Sequence, residues 1–285
     1  MDKSVQSNRD VWEKCLSEAK ERLIVALDAK TLEEVYQLIA MLGPDVRWFK
    51  VGMSAFYAGH RPLLQTIQRY GARIFLDLKL HDIPSTVART VHTIADLGVS
   101  WLTLHALGGE EMLIRAREAV DQQIQSDSGE RLKLFAVTVL TSHDRHAWEA
   151  IGMSESPEQS TERLARLALR SGMDGLIAAP TEVYTLSRLF GRYPYGPYLV
   201  TPGVRLNMEL ASPDFSESKP LGQGVYDDQV RIATPEKAIQ DGGYAVVVGR
   251  PIIAARDPRK AYGLWLEHIA RALLANDPQC LSEST

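Results

Sequence analysis

Eight short apolar runs recur along this chain with helix-patterned stretches filling most of the gaps. That alternation constrains the fold more than any other feature. The runs are RLIVALD (22–28), VRWFKVG (46–52), ARIFLDLKL (72–80), SWLTLHA (100–106), LKLFAVTVL (132–140), DGLIAAP (174–180), PYLVTPG (197–203) and YAVVVGR (244–250). Near-continuous hydrophobicity suits strands covered on both faces, as parallel strands flanked by helices are. Between them, TLEEVYQLIAMLG opens with Thr31 and Glu34 at capping-box spacing and stops at Gly43. PSTVARTVHTIADLG places Pro84 at a helix start, aligns Val87, Val91 and Ile94 on one face, and ends at Gly98. TERLARLALRSG and TPEKAIQDGG follow the same grammar.

This alternation predicts an α/β protein, a (β/α)8 TIM barrel forming one domain over residues 21–275. A doubly wound open sheet is the alternative that eight strands also allow. Residues 8–20 put Val11, Trp12, Cys15, Leu16 and Ala19 on one helical face, which predicts an N-terminal helical extension (1–20) packed on the barrel. Residues 276–285 read as a C-terminal tail. The stretch 206–228, LNMELASPDFSESKPLGQGVYDD, lacks any period and is rich in Pro, Gly, Ser and acid. It predicts a long loop between strands seven and eight, either a lid or a passive insertion.

The chain is 45% hydrophobic and 24% charged, an ordinary globular balance. A net charge of −4 argues against a nucleic-acid partner while leaving room for a local basic pocket. Cys15 and Cys280 lie near opposite ends and form neither a disulfide framework nor a metal-ligand spacing, which fits a reducing cytosol. MDKSVQSNRDVWEKC has no apolar core of signal-peptide length, and no stretch approaches a membrane span. The expectation is a cytoplasmic protein with no membrane partner.

In a barrel of this kind function sits at the C-terminal ends of the strands. Those ends carry Asp28, Lys50, Asp77 with Lys79, His105, Thr138, Arg205, and Gly249 with Arg250. Any one of them alone is equally a place where solvation begins, but Asp28, Lys50, Asp77 and Lys79 would converge on one mouth. Asp77 and Lys79 are two apart on a strand and share a face. Asp82 follows in the turn before the Pro84 helix. Neighbouring carboxylates and ammoniums keep each other ionised. A nearly neutral set with steep local fields suits a site where charge moves during reaction; the other reading is a structural salt-bridge cluster. His81 reads as a packing or hydrogen-bonding residue. His105 either faces the pocket or bonds a neighbour, and the spacing of His143 and His146 is too weak to assign a metal. TPGVR and VVVGR end strands seven and eight, where barrels often hold phosphate; Gly249 allows close approach, Arg250 can pair with an anion, and Gln229 offers a donor. Gly–Arg after a strand is also ordinary turn chemistry.

LIVALD, FKVG, FLDLKLHDIP, VTVLTS, TPGVR, DDQVRIATP and VVGRPI occur in this order from residue 23 to about residue 252. Together they resemble the orotidine 5′-phosphate decarboxylase family; the Asp-x-Lys-x-x-Asp element alone marks only a wider superfamily. The resemblance implies a cofactor-free, metal-free homodimer that converts orotidine 5′-phosphate to UMP. On it, Lys79 matches the lysine that protonates the product carbanion, and Asp77 the carboxylate beside the departing one. Lys50 joins the network and reaches the ribose, and Asp28 binds a ribose hydroxyl. Asp82 and Thr86 cross to the partner's site. Ser142 reads the pyrimidine with Thr138 nearby. Gln229 and Arg250 grip the phosphate, Arg205 more loosely. In the family the stretch between the TPGVR arginine and the DDQ glutamine is usually short, whereas here Arg205 and Gln229 are 24 apart. Two alternatives stand beside this reading. One is a magnesium-dependent sugar-phosphate decarboxylase or lyase of the same superfamily, in which an acid usually stands where this chain has Lys50. The other is a catalytically silent nucleotide-binding barrel.

Overall fold

In the computed structural model, which describes residues 3–122, 131–206 and 232–276, eight parallel strands close on themselves. They are β1 (Leu23–Ala26), β2 (Trp48–Gly52), β3 (Arg73–Leu80), β4 (Trp101–His105), β5 (Lys133–Val137), β6 (Gly175–Ile177), β7 (Tyr198–Pro202) and β8 (Ala245–Val248). Each falls inside one of the apolar runs. The pairing of Leu23 with Val246, Ile24 with Val247 and Val25 with Val248 joins the last strand to the first, which rules out the open sheet.

Eleven helices surround the strands among the described residues: α1 (Lys3–Arg22), α2 (Leu32–Leu42), α3 (Met53–Arg69), α4 (Pro84–Ala95), α5 (Gly109–Asp121), α6 (Arg145–Ala150), α7 (Pro157–Arg170), α8 (Val183–Phe190), α9 (Pro235–Gln240), α10 (Arg250–Ile253) and α11 (Pro258–Asn276). Outward strand residues such as Leu23, Val25 and Leu76 pack against Val35 and Ile39 of α2 and Val87 and Val91 of α4. Inward residues form a second core containing Trp48, Phe75, Trp101 and Phe135. Their rings pack closely in tilted contacts, with centroids 4.2 Å apart for Trp48–Trp101 and 4.4 Å for Trp101–Phe135. Two residues further along the same inward face come Lys50, Asp77 and Thr103. The strand period thus sets a polar layer directly on a floor of aromatic rings.

The Thr31 capping box forms: Thr31 Oγ1 accepts from Glu34 N at 3.2 Å, and Glu34 Oε2 accepts from Thr31 N at 3.3 Å. Such a cap stabilises a helix by about 1 kcal/mol. Helix α7 begins upstream of the expected TERLARLALRSG, because Ser156 and Gln159 make a second capping box and Pro157 takes the first turn. Gly98 is left-handed at φ 68, as a chain reversing after α4 requires. Gly43 is not: it sits at φ −51 in ordinary helical conformation. Its smallness serves packing, since a Cβ there would lie 2.6 Å from both Ile39 O and the Tyr70 ring. The N-terminal helix α1 packs on α11 and buries Cys15 and Ala19. No helix among the described residues is long and apolar enough to cross a membrane. Most of the expected loop at 206–228 lies outside the described residues, and so does Gln229.

Gly43→Ala tests the packing role. Overfilling a tight contact typically costs about 1–3 kcal/mol, so the variant should unfold at lower denaturant than the parent with an unchanged m-value.

Candidate active site

Strand β3 does not run straight into the mouth of the barrel. Its pairing with β4 passes from Leu76–Leu102 to Leu80–Leu104, so four residues of one strand span two of the other. In this bulge Lys79 adopts a left-handed backbone at φ 49, a conformation that costs a non-glycine residue about 1–3 kcal/mol. Side-chain bonds hold it there. Lys79 N donates to Thr103 Oγ1 at 2.8 Å, and Lys79 Nζ lies 2.9 Å from each oxygen of Asp77.

Asp77 is the centre of the arrangement. Besides Lys79 it meets Lys50 Nζ at 3.2 Å and accepts from Thr103 Oγ1 at 2.9 Å. Lys50 in turn reaches Asp28 Oδ1 at 3.6 Å. The side chains of Lys50 and Asp77 retain only 11% and 12% exposure, while those of Lys79 and Asp28 retain 32% and 54%. The network therefore runs from a buried centre to a wet rim. Burial alone would push the Asp77 carboxyl up; the charges of Lys50 and Lys79, with hydrogen bonds from Lys79 and Thr103, outweigh it and hold the group at about 2. Burial pulls the Lys50 ammonium down, but Asp77 and then Asp28 reverse that, and its pKa is raised. Both residues stay charged at neutral pH, so a fixed dipolar field is built in before any ligand arrives. Gly52 gives the network room: a Cβ there would stand 3.2 Å from Asp28 Oδ1.

The other expected site residues are distributed around this centre. Asp82 is exposed and its Oδ1 accepts from Ile83 N at 2.6 Å, with no contact to Asp77 or Lys79. Thr86 lies in the first turn of α4, where Arg89 Nη2 donates to its Oγ1 at 3.4 Å. Thr138 is buried and its hydroxyl donates to Ile177 O at 3.1 Å, which leaves it little freedom to bond a ligand. Ser142 is exposed in the segment that follows β5. Arg205 donates from Nη1 to Val204 O at 2.8 Å, beside a short bridge between Val204 and Ala233. Gly249 precedes α10, which Arg250 opens; a Cβ on Gly249 would lie 3.7 Å from Asp28 Oδ2, so the end of β8 borders the network.

The histidines divide by environment. His105 is buried, and its Nδ1 accepts from Leu107 N at 3.4 Å, so it bonds a neighbour. Burial first, then His81, Lys79 and His143, hold its imidazole down at about 4. His143 lies against Trp148 with ring centroids 5.5 Å apart. Among the described residues no group of three or more His, Cys, Asp or Glu is placed to hold a metal ion.

The family model for orotidine 5′-phosphate decarboxylase / HUMPS matches residues 21–263. The chain belongs to this family. It is 38% identical over 254 residues to the orotidine 5′-phosphate decarboxylase of Trichlorobacter lovleyi, covering 88% of this chain and 96% of that protein. The orotidine 5′-phosphate decarboxylase of Halorhodospira halophila is 41% identical over 251 residues, covering 88% of this chain and 97% of its own. The crystal structure of orotidine 5′-phosphate decarboxylase from Lactobacillus acidophilus superimposes with a TM-score of 0.71 at 33% identity, covering 87% of this chain and 98% of that one.

Within this family frame, Thr103 is the residue that sequence reasoning passed over. It is fully buried and ties Asp77 to the backbone of Lys79. The available signal was a hydroxyl in an otherwise apolar strand, two residues after Trp101 on the inward face.

Thr103→Val removes both bonds while keeping the shape. Loss of stability by about 1–3 kcal/mol is expected, measured by urea denaturation, with Thr103→Ser restoring most of it. The pH dependence follows from two groups that hold fewer protons folded than unfolded. Asp77 sits at about 2 against an ordinary 3.8, and His105 at about 4 against 6.5. Stability should be at its full value above about pH 6.5 and fall between 6.5 and 4 as the unfolded chain protonates at His105. It should fall again from 3.8 towards 2 through Asp77. Melting temperatures across that range check the profile, and His105→Asn should flatten its upper segment.

Proposed function

We propose that this chain decarboxylates orotidine 5′-phosphate to UMP in pyrimidine biosynthesis, acting as a homodimer that uses neither metal nor organic cofactor. The observation that carries the reading is the Lys50–Asp77–Lys79 network, with its buried carboxylate, at the C-terminal mouth of the barrel. Loss of carbon dioxide breaks the bond between the ring carbon and its carboxylate and leaves the electron pair on that carbon. Such a localised anion is poorly stabilised by water, so an ammonium fixed beside it stabilises the developing charge and then supplies the proton. Lys79 is the residue for this role: Asp77 holds its Nζ by two contacts, and its side chain is the more exposed end of the buried pair. Once the C–H bond forms, the neutral amine regains a proton from solvent.

The remaining roles follow the geometry and the family. Asp28 and Lys50 face the ribose hydroxyls from adjacent strand ends. Gly249 and Arg250 take the phosphate at the end of β8, and the family pattern gives Gln229 and, more loosely, Arg205 the same role. Ser142 meets the pyrimidine edge, and Thr138 shapes the wall behind it. Phosphate binding far from the breaking bond supplies energy that organises the charged centre. Asp82 and Thr86 act in the partner's site. Supporting this, Asp82 is bonded to the Ile83 N–H and not to its own network, and its apolar neighbour Ile83 is 64% exposed. A magnesium-dependent relative would need open carboxylates at the mouth, whereas Lys50 engages both Asp28 and Asp77.

Purified protein should consume orotidylate, followed by its ultraviolet absorbance, at an undiminished rate in excess chelator. Activity that appears only on restoring a divalent metal would sink the reading. Lys79→Ala should lower kcat by about 10³–10⁴-fold without loss of fold. Co-refolding Lys79→Ala with Asp82→Asn should restore about a quarter of parental activity, because half of randomly formed dimers then carry one intact shared site. Two variants that stay silent when mixed would remove Asp82 from the partner's site.

A further inference from the structure

His105 ends β4 immediately beside the network, yet it touches neither Asp77 nor Lys50 through any hydrogen bond. What it does touch is the segment that carries Asp82. Its ring stacks on His81 with centroids 5.5 Å apart and planes 28° from parallel, and His81 directly precedes Asp82. Its Nδ1 accepts from Leu107 N, which fixes the neutral imidazole with its proton on Nε2. Leu107 and Gly108 form the opposite wall: a Cβ on Gly108 would stand 3.4 Å from His81 Cδ2. Together they line an open surface depression bordered by His81, Asp82, Ile83, Pro84, Leu107 and Gly108. His81, Asp82 and Ile83 are all exposed, and His81 meets the barrel through the buried His105 ring and the Gly108 backbone.

We propose that His105 is a positioning residue for the reaction, holding Asp82 through the stacked His81 ring where the second subunit's site requires it. This rests on the function proposed above. A charged group displaced by about 1 Å in such a site can cost about 100-fold in rate, so an exposed acid needs a rigid support. The neutral ring suits that support, because a cation here would face both Lys79 and His81.

Two variants separate the stacking role from a purely local one. His105→Phe keeps a flat ring behind His81 and loses the acceptor for Leu107. His105→Asn keeps a polar acceptor and loses the ring. The proposal expects His105→Phe to stay within about 3-fold of parental kcat/KM and His105→Asn to fall by about 10-fold or more. In an Asp82→Asn background, His105→Asn should cost no more than about 2-fold further, since residues acting as one unit do not add. The reverse order, with Asn active and Phe impaired, would show that the imidazole serves only to cap the turn after β4. That order, or full additivity with Asp82→Asn, overturns the inference while leaving the decarboxylase reading intact. A parental protein unable to consume orotidylate overturns both.

Discussion

A carboxylate held between two ammoniums inside a barrel governs the rest of this molecule. Asp77 is too buried to be charged on its own and too well surrounded to be neutral. Taking such groups from water costs several kcal/mol each, and only their mutual attraction with the Thr103 hydrogen bond offsets that. The strands around it are arranged to satisfy this one group. β2 delivers Lys50, β4 delivers Thr103, and β3 breaks its regular pairing so that Lys79 can return to the same carboxylate. The left-handed backbone of Lys79 is strain placed at a functional centre and compensated by its bonds.

The same group links stability to chemistry. An ion pair of this depth is weak evidence for stability, since a well-packed apolar replacement is often no less stable. What it provides is a field of fixed direction that needs no reorganisation when a negative charge develops on a ligand. The aromatic floor beneath supports that field by keeping water from the buried side of Lys50 and Asp77. The exposed side, where Asp28 and Lys79 lie, is the side open to a ligand.

Much of the fold was legible in the sequence for a physical reason. Parallel strands covered on both faces must be apolar throughout, so all eight runs stood out; a capping box marked the start of α2 and Pro84 that of α4. Closure into a barrel was not decided by any single run, because it depends on β8 returning to β1. The charged centre was visible because Asp and Lys are rare in apolar strands. Thr103 was not, since one hydroxyl among Trp101, Leu102 and Leu104 carries no obvious charge signal. The left-handed turn at Lys79 also had no local mark, as a lysine is chosen there for its ammonium and not for its backbone. Gly43 does stop α2, as its type suggested, but without a left-handed turn; its smallness answers to the tyrosine ring arriving from the end of α3. Gln229, which the resemblance assigns to the phosphate, lies outside the described residues.

The closely packed rings of Trp48, Phe75, Trp101 and Phe135 make the barrel a vessel closed at its base. On the proposed reaction, gas and nucleotide must depart through the opening that admitted the substrate. Traffic through that opening is single-file in direction, and the carbon dioxide, being the smaller and uncharged product, has the easier way out past a ligand still gripped by its phosphate.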